Sequence, residues 1–192
     1  LLEDELIKAV ERYGADFAGG MIVDPRNGEM VAMARVPGYD LNAFQDVSNP
    51  LLYGNTNVEN VYEFGSVIKP LTIASGIDAG VITPETSYND QGFVILNTKK
   101  INNFDLKGRG PGTTMQDVLN ESLNTGSIFV MQKLGHDKFR DYMLSFGIGE
   151  KTGIDLPNET TGLISNLKST REIEYATAAF GQGIALRSNM VL

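Results

Sequence analysis

The chain has 192 residues, 42% of them hydrophobic and 21% charged, enough to bury one substantial core with a small lobe beside it. Sixteen Lys and Arg against 24 Asp and Glu give a formal charge of -8, and no basic cluster interleaves with aromatics as a phosphate-tracking surface requires, so nucleic acid is not the expected partner. With no Cys and a single His, His136, the chain offers neither a disulfide framework nor a thiolate or imidazole metal cage, and any acyl-transfer chemistry needs a base other than histidine.

Leu2, Leu6, Val10 and Tyr13 recur at helical spacing and predict an amphipathic helix over residues 1–13. The opening "LLEDELIKAVERYGADFAGG" begins on Leu and contains neither a signal-peptide apolar region nor a span of about 20 apolar residues, so it reads as an excerpt of a longer chain, which leaves room upstream for a targeting segment or membrane anchor. Two apolar runs in "FAGGMIVDPRNGEMVAMARVPG", joined by "DPRNG", predict an antiparallel hairpin, with Asn27-Gly28 supplying the positive φ of a tight turn. From Val36 to Tyr62 the Pro, Asn and Gly content predicts irregular surface structure.

Helical periodicity returns at Ser66 and runs to about Gly80, a suitable stop. Residues 81–112 are mixed: "ITPETSYNDQG" is turn-rich, "FVIL" is a short apolar run, and "LKGRGPGTT" is loop-like. Thr114 with Asp117 resembles a capping box and starts a helix through Met115, Val118 and Leu119. "TGSIFVMQKLG" and "DKFRDYMLSFG" are two further helical segments, each closing on glycine. After "IGEKTGIDLPNETTG" the chain closes on "YATAAFGQGIALRSNMVL". Helices outnumber strands, which puts the fold in the α/β or α+β class.

Ser-x-x-Lys occurs twice, a pattern that chance alone supplies about 0.5 times in such a composition. Context separates the copies. Ser66 follows Gly65 and opens an apolar helical run, so Ser66 and Lys69 share one face of the first turn, where outward-pointing N–H groups can stabilise negative charge. Ser165 and Lys168 lie in the polar "GLISNLKSTRE" and read as surface. An alcohol becomes a nucleophile when a neighbour takes its proton, and a lysine does so once burial lowers its pKa. Val67, Ile68 and Leu71 supply apolar surroundings, and Pro70 is tolerated so close to a helix start. The competing reading is a helix-start serine beside a solvated lysine.

Acyl transfer also wants a proton relay and an amide to hold substrate, and Ser-x-Asn supplies both. Its two copies are "SYN" at Ser87, in a turn-rich stretch, and "SLN" at Ser122. Ser122 follows Met115 by seven residues, on the face of Met115, Val118 and Leu119, where the helix gives way to "NTG". Such a serine can point into a cleft, or it can simply end the helix.

Taken in order, "YEFGSVIKP", "DVLNESLNTGS", "FGIGEKTGIDLPNE" and "ATAAFGQGI", preceded by "GGMIVDPRNGEMVAMA" and "YDLNAF", resemble the transpeptidase domain of penicillin-binding proteins, most nearly the monofunctional class B type. The resemblance covers essentially the whole chain. It implies a penicillin-binding/β-lactamase-like α/β fold, an antiparallel sheet flanked by helices plus an all-helical lobe. It also implies one transpeptidase domain over residues 1–192 that lacks its final strands, with the sheet hairpin and nucleophile helix in 1–80 and a mainly helical lobe in 81–192.

By resemblance, Ser66 is the acylated nucleophile, Lys69 the general base, Ser122 the proton relay, and Asn124 an amide that contacts substrate and helps position Lys69. The implied substrate is a D-Ala-D-Ala stem peptide of peptidoglycan, cross-linked to an amine of a neighbouring strand. β-Lactam antibiotics are the implied mimics, other cell-wall synthesis proteins the implied partners, and the outer side of the cytoplasmic membrane the implied place. No metal and no organic cofactor is implied.

The family's third motif, Lys-Thr/Ser-Gly on a core strand, follows "GQGI". "KTG" at Lys151 to Gly153 falls instead in the loop that joins helices, and is expected to be structural. A β-lactamase or β-lactam sensor of the same fold, and a non-catalytic scaffold in a cell-wall complex, are the rival readings.

Overall fold

In the computed structural model, which describes residues 1–187, the apolar stripe of the first segment forms helix α1, Leu2–Tyr13. Acidic Glu3, Asp4 and Glu5 occupy its positive end, and Gly14 stops it in the left-handed region at φ 62. The helix lies on strand β1, Ala18–Val23, where a Cβ on Gly20 would come within 3.3 Å of Leu2 and Leu6.

Strand β1 pairs antiparallel with β2, Met30–Val36, placing Ala18 opposite Val36 and Val23 opposite Met30. In the connecting turn the Asp24 carbonyl accepts from Gly28 N–H at 2.8 Å, with Gly28 at φ 77, and the Asp24 carboxylate accepts from Arg26 N–H at 3.0 Å. The expected hairpin is therefore present.

Residues 37–62 are irregular, as their composition indicated. Two 3₁₀ turns, Leu41–Asp46 and Pro50–Tyr53, precede the single-turn helix α2, Thr56–Glu59. The side chains of Asp40, Asn49 and Asn55 cap these turns by accepting an N–H two residues on. Segment 151–161 closes on one carboxylate: Glu159, 8% exposed, accepts from Thr152 N–H at 2.9 Å, Thr152 Oγ1 at 2.6 Å and Gly153 N–H at 3.2 Å, and pairs with Arg187. Thus "KTG" at 151–153 is loop, and its threonine and glycine are engaged with Glu159. Together with α1 and the hairpin, this loop makes one compact unit among the described residues, Leu1–Tyr62, Lys151–Thr161 and Arg187.

The second unit comprises Glu63–Glu150 and Gly162–Leu186. It opens with a 3₁₀ turn, Gly65–Ile68, that runs into α3, Lys69–Asp78. Four short strands follow: β3 Ser87–Asp90, β4 Phe93–Leu96, β5 Lys99–Asn102 and β6 Gly110–Thr114. Strand β3 pairs with β6, and β4 with β5, all antiparallel. Helices α4 Met115–Asn120, α5 Asn124–Leu134 and α6 His136–Ser145, a 3₁₀ turn at Ser165–Lys168 and α7 Glu172–Ala178 complete the unit.

Helix α5 is the axis of this unit, packed against α3, α6 and α7. Its Ile128, Val130 and Met131 are fully buried with Phe139 and Met143 of α6. A Cβ on Gly76 of α3 would lie 2.6 Å from Val130, so glycine sets the approach of α3 to α5.

The structure departs from the sequence reading at three places. The helix expected from Ser66 to Gly80 is a 3₁₀ turn followed by an α-helix that ends at Asp78, with Pro70 in its first turn and Gly80 just beyond at φ 67. "SYND" and "GPGTT" are strands rather than turn and loop, because they pair with one another from more than twenty residues apart and pairing overrides local composition. The expected helical lobe thus also carries two small sheets. The compact units divide after Tyr62, so α3 groups with residues 81–150 and not with the hairpin. Residues 188–192 of the closing segment "ALRSNMVL" lie outside the described residues.

Candidate active site

Ser66 sits in the 3₁₀ turn ahead of α3, its carbonyl accepting from Lys69 N–H, so one backbone hydrogen bond links the two residues of the Ser-x-x-Lys motif. The turn is clamped from the far end of the unit. Gly65, at φ 58, donates its N–H to the Gly181 carbonyl at 3.1 Å, and a Cβ on Gly181 would stand 2.0 Å from the Gly65 carbonyl oxygen. Gly183 N–H donates to the Glu63 carboxylate at 2.7 Å, and Thr72 Oγ1 donates to the Ala179 carbonyl at 2.8 Å. Gly181 of "FGQG" is glycine because the serine turn touches that backbone, whereas a Cβ on Gly183 would stand 2.0 Å from Asn166 Nδ2.

The Ser66 side chain is exposed and makes no hydrogen bond among the described residues. Lys69 is the opposite, 2% exposed at the start of α3. Its Nζ donates to the Ser122 carbonyl at 2.5 Å and to Ser122 Oγ at 2.9 Å. Among the described residues no carboxylate pairs with it. Burial alone pushes its pKa down to about 8, so a useful fraction is neutral near neutral pH.

Ser122 lies between α4 and α5 with φ 54, a left-handed backbone that few non-glycine residues adopt. Thr114 and Asp117 begin α4 with a reciprocal capping box, as expected. The chain then leaves the helix after Asn120, and Leu123, fully buried, turns it into α5. The left-handed step aims both the carbonyl and the hydroxyl of Ser122 at Lys69. Asn124 opens α5, and its side-chain Nδ2 donates to the Asn102 carbonyl at 2.8 Å; no hydrogen bond joins it to Lys69 among the described residues. Of the four site residues read from the sequence, Lys69 and Ser122 are bonded directly, Ser66 adjoins Lys69 through the backbone, and Asn124 is tied to β5. The decoys are apart: Ser165 and Lys168 are exposed, and Ser87 is exposed on β3.

A buried polar cluster that sequence reasoning missed is formed by Asp90, Asn103 and Thr125, each 2% exposed or less. Nothing in the spacing of three residues on separate elements announces such a cluster.

The sequence matches the penicillin binding protein transpeptidase domain over residues 18–190. The chain belongs to that family.

The class B-like penicillin-binding protein resemblance read from the motifs is thereby borne out, with the α/β transpeptidase fold. Stage V sporulation protein D of Bacillus subtilis (strain 168) is 32% identical over 187 residues, covering 97% of this chain and 29% of that protein. The probable peptidoglycan D,D-transpeptidase PenA of Neisseria gonorrhoeae is 33% identical over 190 residues, covering 97% of this chain and 31% of that protein. This transpeptidase-domain chain therefore spans less than a third of the length of those relatives. Among solved structures, a peptidoglycan glycosyltransferase from Burkholderia ambifaria superposes with a TM-score of 0.84 at 26% identity, over 98% of this chain and 54% of the other. The apo TP domain of Burkholderia pseudomallei penicillin-binding protein 3 gives 0.83 at 23% identity, over 98% and 51%, and shares the fold.

Proposed function

We propose that this transpeptidase domain performs serine acyl transfer, cross-linking peptidoglycan stem peptides through an acyl-enzyme on Ser66. The observation that carries the reading is the buried Lys69 ammonium, one turn from Ser66 and hydrogen-bonded to Ser122. Neutral Lys69 takes the Ser66 hydroxyl proton as Oγ attacks the carbonyl carbon between the two D-Ala residues. The C–N bond breaks, and the departing D-Ala amine receives a proton relayed through Ser122. The amine of a second stem peptide then attacks the Ser66 ester, forming the cross-link and returning the proton to the serine. Asn124 is assigned to the substrate amide contact.

The family match and the name of the Neisseria relative support the substrate class, D-Ala-D-Ala stem peptides, with β-lactams as mimics. The work is placed outside the cytoplasmic membrane, with the whole protein attached to it and working beside other cell-wall synthesis proteins. Among the described residues no helix is long and apolar enough to cross a membrane.

Intact mass after incubation with benzylpenicillin tests the assignment. A single adduct is expected on the parent chain and none on Ser66→Ala. An adduct on both, or on neither, would sink the Ser66 assignment.

A further inference from the structure

We infer that the buried Asp90–Asn103–Thr125 cluster is a positioning device that holds the Ser122 carbonyl and hydroxyl on the Lys69 ammonium. The inference rests on the reading of Lys69 as the base.

The cluster starts from a carboxylate with no cation bonded to it. Asp90, 1% exposed at the end of β3, accepts from Gly92 N–H at 2.9 Å, Arg109 N–H at 3.0 Å, the Asn103 amide at 3.1 and 3.2 Å, and Thr125 Oγ1 at 2.8 Å. Several donors converging on one carboxylate fix its position without a salt bridge. Asn103 Oδ1 in turn accepts from Thr125 N–H at 3.2 Å. Thr125 is the second residue of α5, three beyond Ser122, so its main chain and its side chain are both held by the cluster.

Directionality follows from proton count. The Thr125 hydroxyl has one proton and two acceptors in reach, Asp90 Oδ1 at 2.8 Å and Asn103 Oδ1 at 3.2 Å, so Tyr88, 2.9 Å from the same oxygen, is the donor in that bond. Burial pushes the Tyr88 phenol up to about 12, so it keeps the proton it donates.

On the other side of Ser122, Glu121 is gripped by Arg109, whose Nε lies 2.8 Å from the carboxylate. The same Arg109 gives its backbone N–H to Asp90. Ser122, left-handed at φ 54, is therefore bracketed by residues 121 and 125, and both brackets lead back to Asp90. A serine in that conformation is strained and persists where its surroundings over-determine it. Leu123, between them, has little freedom once the flanks are set.

The discriminating variant is Thr125→Val, which keeps the shape and removes the hydroxyl. Two readouts are taken on the full chain: the 13Cε shift of Lys69 against pH, assigned by its loss in Lys69→Arg, and the acylation rate with benzylpenicillin. The carbonyl and hydroxyl of Ser122 favour the ammonium, so Thr125→Val is expected to move the Lys69 titration to lower pH. It is also expected to slow acylation on the order of tenfold, with Thr125→Ser restoring both. Tyr88→Phe, which deletes the donor to Thr125 while leaving every residue of α5 unchanged, is expected to shift the titration the same way by less, and serves if Thr125→Val does not fold. A Lys69 titration unmoved in every folded variant overturns the inference, whatever the melting temperatures do. A titration that moves in a chain that benzylpenicillin never acylates upholds the positioning and overturns the Ser66 reading instead.

Discussion

Lys69 is a cation placed in the interior with, among the described residues, only a carbonyl and a hydroxyl to receive it. Its chemistry and its cost have the same origin. A pKa depressed to about 8 makes the neutral amine accessible, so acylation by benzylpenicillin is expected to rise with pH through about 8 and level off above it, as stopped-flow rates would record. Lys69→Arg fills the space with a group that stays protonated, and should lower that rate by about 10²–10⁴ at every pH.

Stability carries the same signature. Between about 8 and the ordinary lysine value of 10.5, the unfolded chain binds more protons at this position than the folded one, so stability rises with pH across that window. Urea midpoints of the parent and Lys69→Met, compared at pH 8 and 10, should converge as pH rises, by at most about 3 kcal/mol. The Ser66 and Lys69 pair was legible because both lie within one turn ahead of an apolar run. The φ of Ser122 was not, since a serine that ends a helix and one that turns left-handed look alike in sequence.

At the scale of elements, local signals survived and non-local ones did not. The Thr114 and Asp117 box could be read because both halves of the motif lie within four residues. Thr114→Ala should destabilise the protein by about 1–2 kcal/mol in urea titration, with little change in acylation rate of the folded fraction. Strand β6, by contrast, is Gly and Pro rich and becomes a strand through its partner β3, which no window of the sequence contains. The hairpin β4–β5 turns through Asn97 at φ 47 and Thr98 at φ 66, a tight turn without glycine, and Asn97 Oδ1 accepts from Ile173 N–H at 3.2 Å. That bond caps α7, whose own N-cap, Arg171, provides no side-chain cap. The "FGQG" segment makes the same point from the other direction. Gly181→Ala adds a Cβ against backbone at φ 80, and is expected to cost more than about 1 kcal/mol and to reduce acylation, measured by melting and by adduct mass.

At the scale of the whole molecule, ordered segments carried more than any single motif. Each of Ser-x-x-Lys and Ser-x-Asn occurs twice, while six segments in order and spacing identified the family that the match over residues 18–190 establishes. The decoy "KTG" shows why order matters, since its residues close a loop on Glu159. Glu159→Gln removes the buried charge opposite Arg187 and should destabilise by about 3–5 kcal/mol. Hydrogen exchange should show the Thr152 and Gly153 amides losing protection first.

The clamp on the serine turn also fixes when that turn can exist. Its bonds reach far along the chain, with Thr72 joined to Ala179 across 107 residues and Glu63 to Gly183 across 120. At a synthesis rate of about 5–20 residues per second, Glu63 is made on the order of ten seconds before its partner. The nascent chain thus carries Ser66 without its native setting until Gly183 is made, and the serine turn is completed only then.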